Sequence, residues 1–394
     1  MIQSIVPDYL NDFSCIGNMC EDTCCASWQV TVDKKTYKKY QKVKDPNLRK
    51  MLQETVKRNR KAQDDAQYAT IKMNSNNLCP LLDDGLCGIQ KNLGASYLSH
   101  TCAVYPRITT RVHSMQEQSL TLSCPEAARI ILLRPEGIGF TEQHSEPDQY
   151  VQKTLTEQQQ PYFWDIRIFI IRLMQNRTQP VTVRLAVVGL FLQKIESLQL
   201  SEYRTQLPII MNDYEMRLKN EAFIASLQDL PRRSAFQLRL TRSLFTSLLT
   251  YVTKSPKFTS LLLQMEQGLQ LDKDELNVEA YEEAYARYYV PFMATYDYII
   301  ENYIVNYIFS TVFPYSEDSL RESYMMLVVN LLVIKMKIIG VAVYKEELTL
   351  EDVIYCIQQS TKATEHNVTY RNAIRQAMVE AEYTTMGHFI TLIK

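Results

Sequence analysis

The sequence predicts a mainly α-helical protein in which a cysteine-rich N-terminal region precedes an all-helical array. Three observations lead there. Eight of the nine cysteines lie within the first 124 residues. From Tyr162 onward, apolar residues recur three and four positions apart, the spacing of one helical face. Strand signals are sparse, which favours helices packed on helices over a doubly wound sheet.

The 394 residues suffice for two or three cores, because single cores seldom grow past roughly 250 residues. Gly137-Ile138-Gly139 through Pro147 is rich in turn formers and charge, and the region from Pro147 to Pro161 reads as a linker. The division is therefore a cysteine-rich metal-binding domain over 1–147 and an all-helical domain over 148–394. In the first, short helices and loops are expected, with Asp33 capping a helix that runs toward Lys61 and breaks at Asp45-Pro46. In the second, the periodicity predicts helices over Tyr162–Gln175, Val181–Leu198, Ser201–Glu221, Arg233–Tyr251 and Lys257–Gln270. Val278–Phe309 follows, kinked or split at Pro291, and then Ser316–Tyr344, Leu350–Gln359 and Asn367–Leu392.

Charge and hydropathy exclude several classes. The net charge is −1, yet Lys34 to Lys61 holds twelve Lys or Arg against two acids, Asp45 and Glu54. Such a face attracts acidic partners or is simply solvated. No nucleic-acid-binding motif accompanies it. The start lacks a basic segment followed by an apolar run, so no secretory signal is expected. The most apolar stretch, Met325 to Tyr344, is interrupted by Asn330, Lys335 and Lys337, which are costly in lipid. It reads as a buried helix of a cytoplasmic protein, with no membrane contact. Twenty-five Tyr against 13 Phe supply aromatic surface carrying a hydroxyl, suited to polar cavities, or reflect composition bias.

The cysteines are Cys15, Cys20, Cys24, Cys25, Cys79, Cys87, Cys102 and Cys124, with Cys356 apart in an apolar helical context. A disulfide scaffold is disfavoured by size and compartment, and scattered core cysteines would not concentrate in this way. Thiolate ligation of a metal or cluster fits best, in one site or two. No C-x2-C knuckle or ferredoxin run appears. Adjacent Cys24 and Cys25 point in different directions, so they can serve separate sites. Asp84-Gly85 makes a turn that lets Cys79 and Cys87 converge. Pro125 opens a helix whose positive end is expected to stabilise a Cys124 thiolate. Arg107 and Arg129 are candidates to balance thiolate charge, or are structural; Arg107 also suits a substrate carboxylate.

Phe13-Ser14-Cys15, Cys20 to Trp28 (CEDTCCASW), Cys79 through Cys87, Leu93-Gly94, Cys102 to Arg107 (CAVYPR) and Leu120 to Arg129 (LTLSCPEAAR) occur in order, followed by Glu301 to Phe309 (ENYIVNYIF) and Phe313-Pro314. In this combination the chain resembles the flagellin lysine-N-methylase family, with an N-terminus like those of zinc- or iron-chelating cysteine-cluster proteins. The resemblance implies transfer of methyl groups from S-adenosylmethionine to lysine ε-amines of flagellin, with a [4Fe–4S] cluster held by cysteines. No Gly-rich G-x-G loop after a strand and no C-x3-C-x2-C triplet is present, so S-adenosylmethionine needs another pocket.

Asn302 and Asn306 lie one turn apart on one helical face, as do Tyr303 and Tyr307. The amides suit a polar cofactor such as adenosine, or cap neighbouring backbone; the tyrosines line the same cavity, or pack. Cofactor binding is thus expected at Arg107, Asn302, Asn306 and Tyr307. A base that frees the lysine amine is expected among Tyr105, Glu301 and Tyr303. Zinc is the alternative metal. The alternative functions are a zinc-stapled helical interaction protein and an iron–sulfur electron-transfer or metal-delivery module.

Overall fold

The computed structural model describes residues 1–26, 30–62, 64–148, 151–251, 255–365 and 367–394. Ser27 and Trp28 of the CEDTCCASW segment, and residues 149–150 of the expected linker, lie outside the described residues. The protein is mainly α-helical.

The N-terminal region is richer in strands than the short helices and loops expected of it. A five-stranded sheet runs in the order Lys153–Leu155, Arg107–Val112, Met115–Leu120, Ile2–Pro7, Phe140–Ser145. Arg107–Val112 and Met115–Leu120 form an antiparallel hairpin, whereas Ile2–Pro7 runs parallel to Met115–Leu120. The strands carry little apolar alternation because polar residues fill their buried positions: Thr109, Thr110, Gln116, Glu117 and Ser119 are all buried. Burial of polar groups requires partners. Glu117 accepts from Arg167 Nη1 at 2.9 Å and from Thr110 Oγ1 at 3.3 Å. Arg167, in the Phe163–Met174 helix, is itself wrapped by Phe163, Trp164 and Phe309 at 4.4, 4.8 and 4.9 Å from the ring centroids. This buried pair rivets the sheet to the helices.

A smaller core gathers Val30, Val32, Tyr40, Leu52, Ile71, Cys79 and Ile89 around a three-stranded sheet of Thr31–Val32, Ala69–Ile71 and Val56–Arg58. Its helices start where the caps predict. Asp33 accepts from Thr36 N, and Asp45 accepts from Leu48 N with Pro46 in the first turn. The basic residues Lys35, Lys42, Lys44, Lys50 and Lys57 are exposed on this unit.

The helical array follows the periodicity closely, from Phe163–Met174 and Val181–Glu196 to Leu350–Thr364. Three details differ. Glu221–Gln228 is an additional helix, the last segment divides into Val368–Glu380 and Met386–Leu392, and the Pro291 region contains a π-helical turn at Tyr285–Tyr289. Leu320–Lys345 is long and apolar enough to cross a membrane, but 89% of its most apolar window is buried inside the protein. It is the central core helix. Pro256–Leu269 crosses it at glycines, where a Cβ on Gly268 would stand 2.0 Å from the Gly340 carbonyl oxygen. A principal core runs from Tyr9 through the helices to Ile393.

Candidate active site

All nine cysteines are thiols rather than disulfides. The eight N-terminal ones do not act as a single set; they fall into two groups. In the first, Cys24 hydrogen-bonds to Cys25 and Cys25 to Cys79, and the charges of Cys87 and Cys102 bear on Cys79. Backbone pairing brings these together: Cys79 N donates to Cys25 O at 2.7 Å, and the expected Asp84-Gly85 turn closes a hairpin that places Leu82 opposite Cys87. The hydrogen bond with Cys24 lowers the Cys25 thiol, but the bond with Cys79 together with burial outweighs it and pushes the pKa up to about 12, while the bond from Cys25 holds Cys79 below the ordinary thiol value. Burial pushes Cys102 up to about 11. In the second group, Cys15 and Cys20 face Cys124. Cys124 does cap the Pro125–Leu132 helix, as expected, but its thiolate is not favoured there. Burial outweighs the N–H groups of Glu126 and Ala127 and lifts it to about 11.

Among the described residues no three His, Cys, Asp or Glu side chains are arranged to hold a metal ion. The expected metal-binding domain, and the zinc alternative in particular, therefore find no ready ion site: zinc–thiolate bonds of about 2.3 Å demand tight convergence of four donors. Thiolates are also the ligands of iron–sulfur clusters, whose several metal atoms spread their donors more widely. The charges of thiolates gathered this closely raise one another's pKa by mutual repulsion, against which hydrogen bonds between them work, as at Cys79, and a metal centre reverses the sign of the repulsion.

Two adjoining cavities separate the cysteine-rich region from the helical array. The outer, about 570 Å³, touches Cys24, His100, Tyr105, Arg107, Asp148 and Lys362. The inner, about 330 Å³, is lined by Tyr303, Asn306, Tyr307, Tyr370, Lys337 and Arg371 among others. Ile108, Gln152, Thr361 and Glu365 belong to both linings and form the wall between them. Volumes of this size accommodate small-molecule cofactors. The wall is braced from below, since Thr121 Oγ1 donates to Glu365. The CEDTCC segment is braced as well: Asp22 accepts from Lys362 at 2.7 Å, Gln359 at 3.0 Å and Gln358 at 3.3 Å, all from the Leu350–Thr364 helix.

The expected site residues divide between these cavities and the scaffold. Tyr105 lines the outer cavity and shares a hydrogen bond of 3.1 Å with Ser123; burial raises its phenol well above the ordinary value. Arg107 lines the same cavity with its guanidinium 5.2 Å from the centroid of the Phe13 ring. Tyr303 and Tyr307 stack with centroids 6.3 Å apart in the inner cavity, and burial raises both phenols. Asn306 reaches the inner cavity too, while its amide donates to Leu120 O and accepts from Tyr9 OH.

Glu301 and Asn302 are placed differently. Asn302 donates to the carbonyls of Leu132 and Arg134, which terminates the Pro125–Leu132 helix against Tyr298–Ser310. Glu301 is buried between two guanidiniums, Arg184 at 2.6 Å and Arg177 at 2.8 Å. A carboxylate so engaged is a structural counter-ion, and it lines neither cavity. Arg129 likewise pairs with Glu126 and Glu21. Glu365, Lys337, Tyr370 and Arg371 escaped the sequence reading, because each lies on an apolar helix or helix end with no motif of its own. Only the interruption of Met325–Tyr344 by lysines signalled one of them.

A model of the FliB lysine N-methylase C-terminal domain matches residues 167–392. The flagellar biosynthetic protein FliU of Salmonella muenchen is 39% identical over 141 residues, covering 35% of this chain and 82% of that protein. Lysine-N-methylases of Salmonella typhimurium (strain LT2) and Salmonella choleraesuis are each 39% identical over 138 residues, covering 34% of this chain and 34% of theirs. The alignment thus spans about a third of the length of these two methylases. No solved structure matches the chain. With more than half of its residues matched by the domain, the chain belongs to the FliB lysine N-methylase family.

Proposed function

We propose that the protein transfers a methyl group from S-adenosylmethionine to lysine ε-amines of flagellin, where the two cavities meet. The observation that carries this reading is the pairing itself: an outer cavity with charges of both signs opens beside the thiols, and an inner one is lined by tyrosines. Arg107 and Lys362 suit the carboxylate of the methionyl end, and Asp148 and Glu365 suit its amine. Tyr303, Tyr307 and Tyr370 suit the aminobutyl chain of the acceptor, since ring faces attract an ammonium. In the reaction the neutral lysine nitrogen attacks the methyl carbon as the carbon–sulfur bond breaks, and the sulfur leaves as a thioether. Lysine must first lose its proton, from an ordinary pKa of about 10.4. Desolvation in the inner cavity favours the neutral amine.

Cys25, Cys79, Cys87 and Cys102 are the residues proposed to hold a [4Fe–4S] cluster. Such a cluster would supply a redox-active anchor for the loops that border the outer cavity. The flagellin partner and a cytoplasmic site of action belong to the same reading.

The test uses full-length protein purified without oxygen. It is expected to contain iron and sulfide, and to label lysines of flagellin from methyl-labelled S-adenosylmethionine, read by peptide mass spectrometry. An iron-replete protein that binds S-adenosylmethionine but labels no lysine would sink the methylase reading. A colourless protein with stoichiometric zinc and intact transfer would remove the cluster alone.

A further inference from the structure

The inner cavity contains a lysine of the chain's own. Lys337 is 0% exposed, on the Leu320–Lys345 core helix, and its nitrogen donates to Ser360 Oγ at 3.0 Å. Ser360 in turn donates to Cys356 O at 2.6 Å, so its hydroxyl proton is spent and it can only accept from Lys337. No carboxylate lies within ion-pair distance of Lys337 among the described residues, and its nitrogen stands over the Phe258 ring, 5.1 Å from the centroid. A buried ammonium without a counter-ion is expensive, whereas a neutral amine donating one N–H to a hydroxyl is satisfied and keeps a lone pair.

We infer that Lys337 is the general base of methyl transfer, accepting the proton of the acceptor lysine as that ammonium enters the inner cavity. The inference rests on the proposed methylase reading and adds the residue that activates the nucleophile. The balance is simple. The acceptor ammonium gives one proton to the Lys337 nitrogen and becomes a neutral amine. That amine then forms the nitrogen–carbon bond as the sulfonium releases its methyl group, and the charge remains on the methylated lysine. Two amines in one desolvated cavity share a single proton, because two like charges there repel. The Lys337 ammonium afterwards releases its proton through the wall at Glu365, which borders the outer cavity.

The electrostatic setting agrees with this role. Burial lowers the Lys337 pKa to about 7, opposed only by the nearby Cys356 thiol. The other titratable groups facing the cavity are Tyr303 and Tyr307 on one helix, Tyr370 and Arg371 on another, and Glu365, Glu317 and Lys153 from its ends. Burial raises the three phenols, so they stay protonated at neutral pH. Glu317 is engaged by Arg371 and Arg375. A base with a pKa near the working pH combines adequate basicity with the free-base form.

The pH dependence of kcat/KM for flagellin methylation tests the assignment. Wild-type protein is expected to rise from pH 6 and level off with an inflection near 7. Lys337→Met should lose that inflection, fall about 100-fold at pH 7 and keep rising about tenfold per pH unit toward the acceptor's own pKa. His100 does not mimic the signal, since burial holds it below its ordinary 6.5. A Lys337→Met profile that keeps the inflection overturns the inference while leaving the methylase reading intact. Should that variant fail to fold, a wild-type profile with no inflection between pH 6 and 8 overturns it equally. Wild-type protein that methylates no flagellin at any pH strikes the parent reading instead.

Discussion

Replacing Glu301 with Ala separates a structural carboxylate from a catalytic one. The side chain is 1% exposed and is shared by Arg184, also 1% exposed, and by Arg177 at the surface. Without it, Arg184 retains the Met174 carbonyl and a distant Asp297 at 3.9 Å. Removing one partner of a buried ion pair costs about 3–5 kcal/mol, because the remaining charge stays desolvated. The unfolding entropy of a chain this long is about 0.8 kcal/mol per degree, from ~2.1 cal/mol/K per residue. The expected fall in melting temperature is therefore about 4–6 °C if the chain unfolds as one unit. Differential scanning calorimetry of Glu301→Ala, Arg184→Met and the double variant checks this. The double variant should recover part of the loss, since two apolar side chains leave no stranded charge. Methyl transfer measured well below the transition should survive. An unchanged melting temperature with transfer lowered by a factor of 100 or more would refute the counter-ion assignment and make Glu301 a base.

Two further outcomes follow from packing and charge. Gly268→Ala sets a methyl 2.0 Å from the Gly340 carbonyl oxygen, forcing the two central helices apart. A loss of about 2–3 kcal/mol is expected by chemical denaturation, and Gly387→Ala, whose methyl meets nothing closer than 3.9 Å, should be nearly neutral. Burial pushes the Asp22 carboxyl up, but the charge and hydrogen bond of Lys362 outweigh it and hold the pKa below the ordinary 3.8. A carboxyl depressed in the folded state stabilises above its unfolded pKa, and that contribution fades as pH falls through the folded one. Asp22→Asn should therefore be less stable than wild type at pH 7, by about 2 kcal/mol for a half-buried charged hydrogen bond. The gap should close in acid; a gap that persists there would show that the lost packing, not the charge, matters.

By itself the sequence determined the helical array, the caps at Asp33 and Asp45, the turn at Asp84-Gly85 and the concentration of thiols. Each is written within a few residues: a 3.6-residue apolar period, an oxygen three positions before an N–H, a glycine where φ is positive. It also drew attention to Tyr105, Arg107, Tyr303, Asn306 and Tyr307, all of which line a cavity. The five-stranded sheet was hidden because its interior is polar, with Glu117 neutralised by Arg167 fifty residues later. Glu301 looked like a base because nothing near it in sequence announces Arg177 and Arg184, which arrive from more than a hundred residues away. The division of the cysteines into two groups, and the convergence of Lys337, Ser360 and Glu365 on one cavity, are likewise products of tertiary packing. Local rules choose the elements, but charge pairing and cavity lining depend on which distant faces meet, and that is decided only when the core closes.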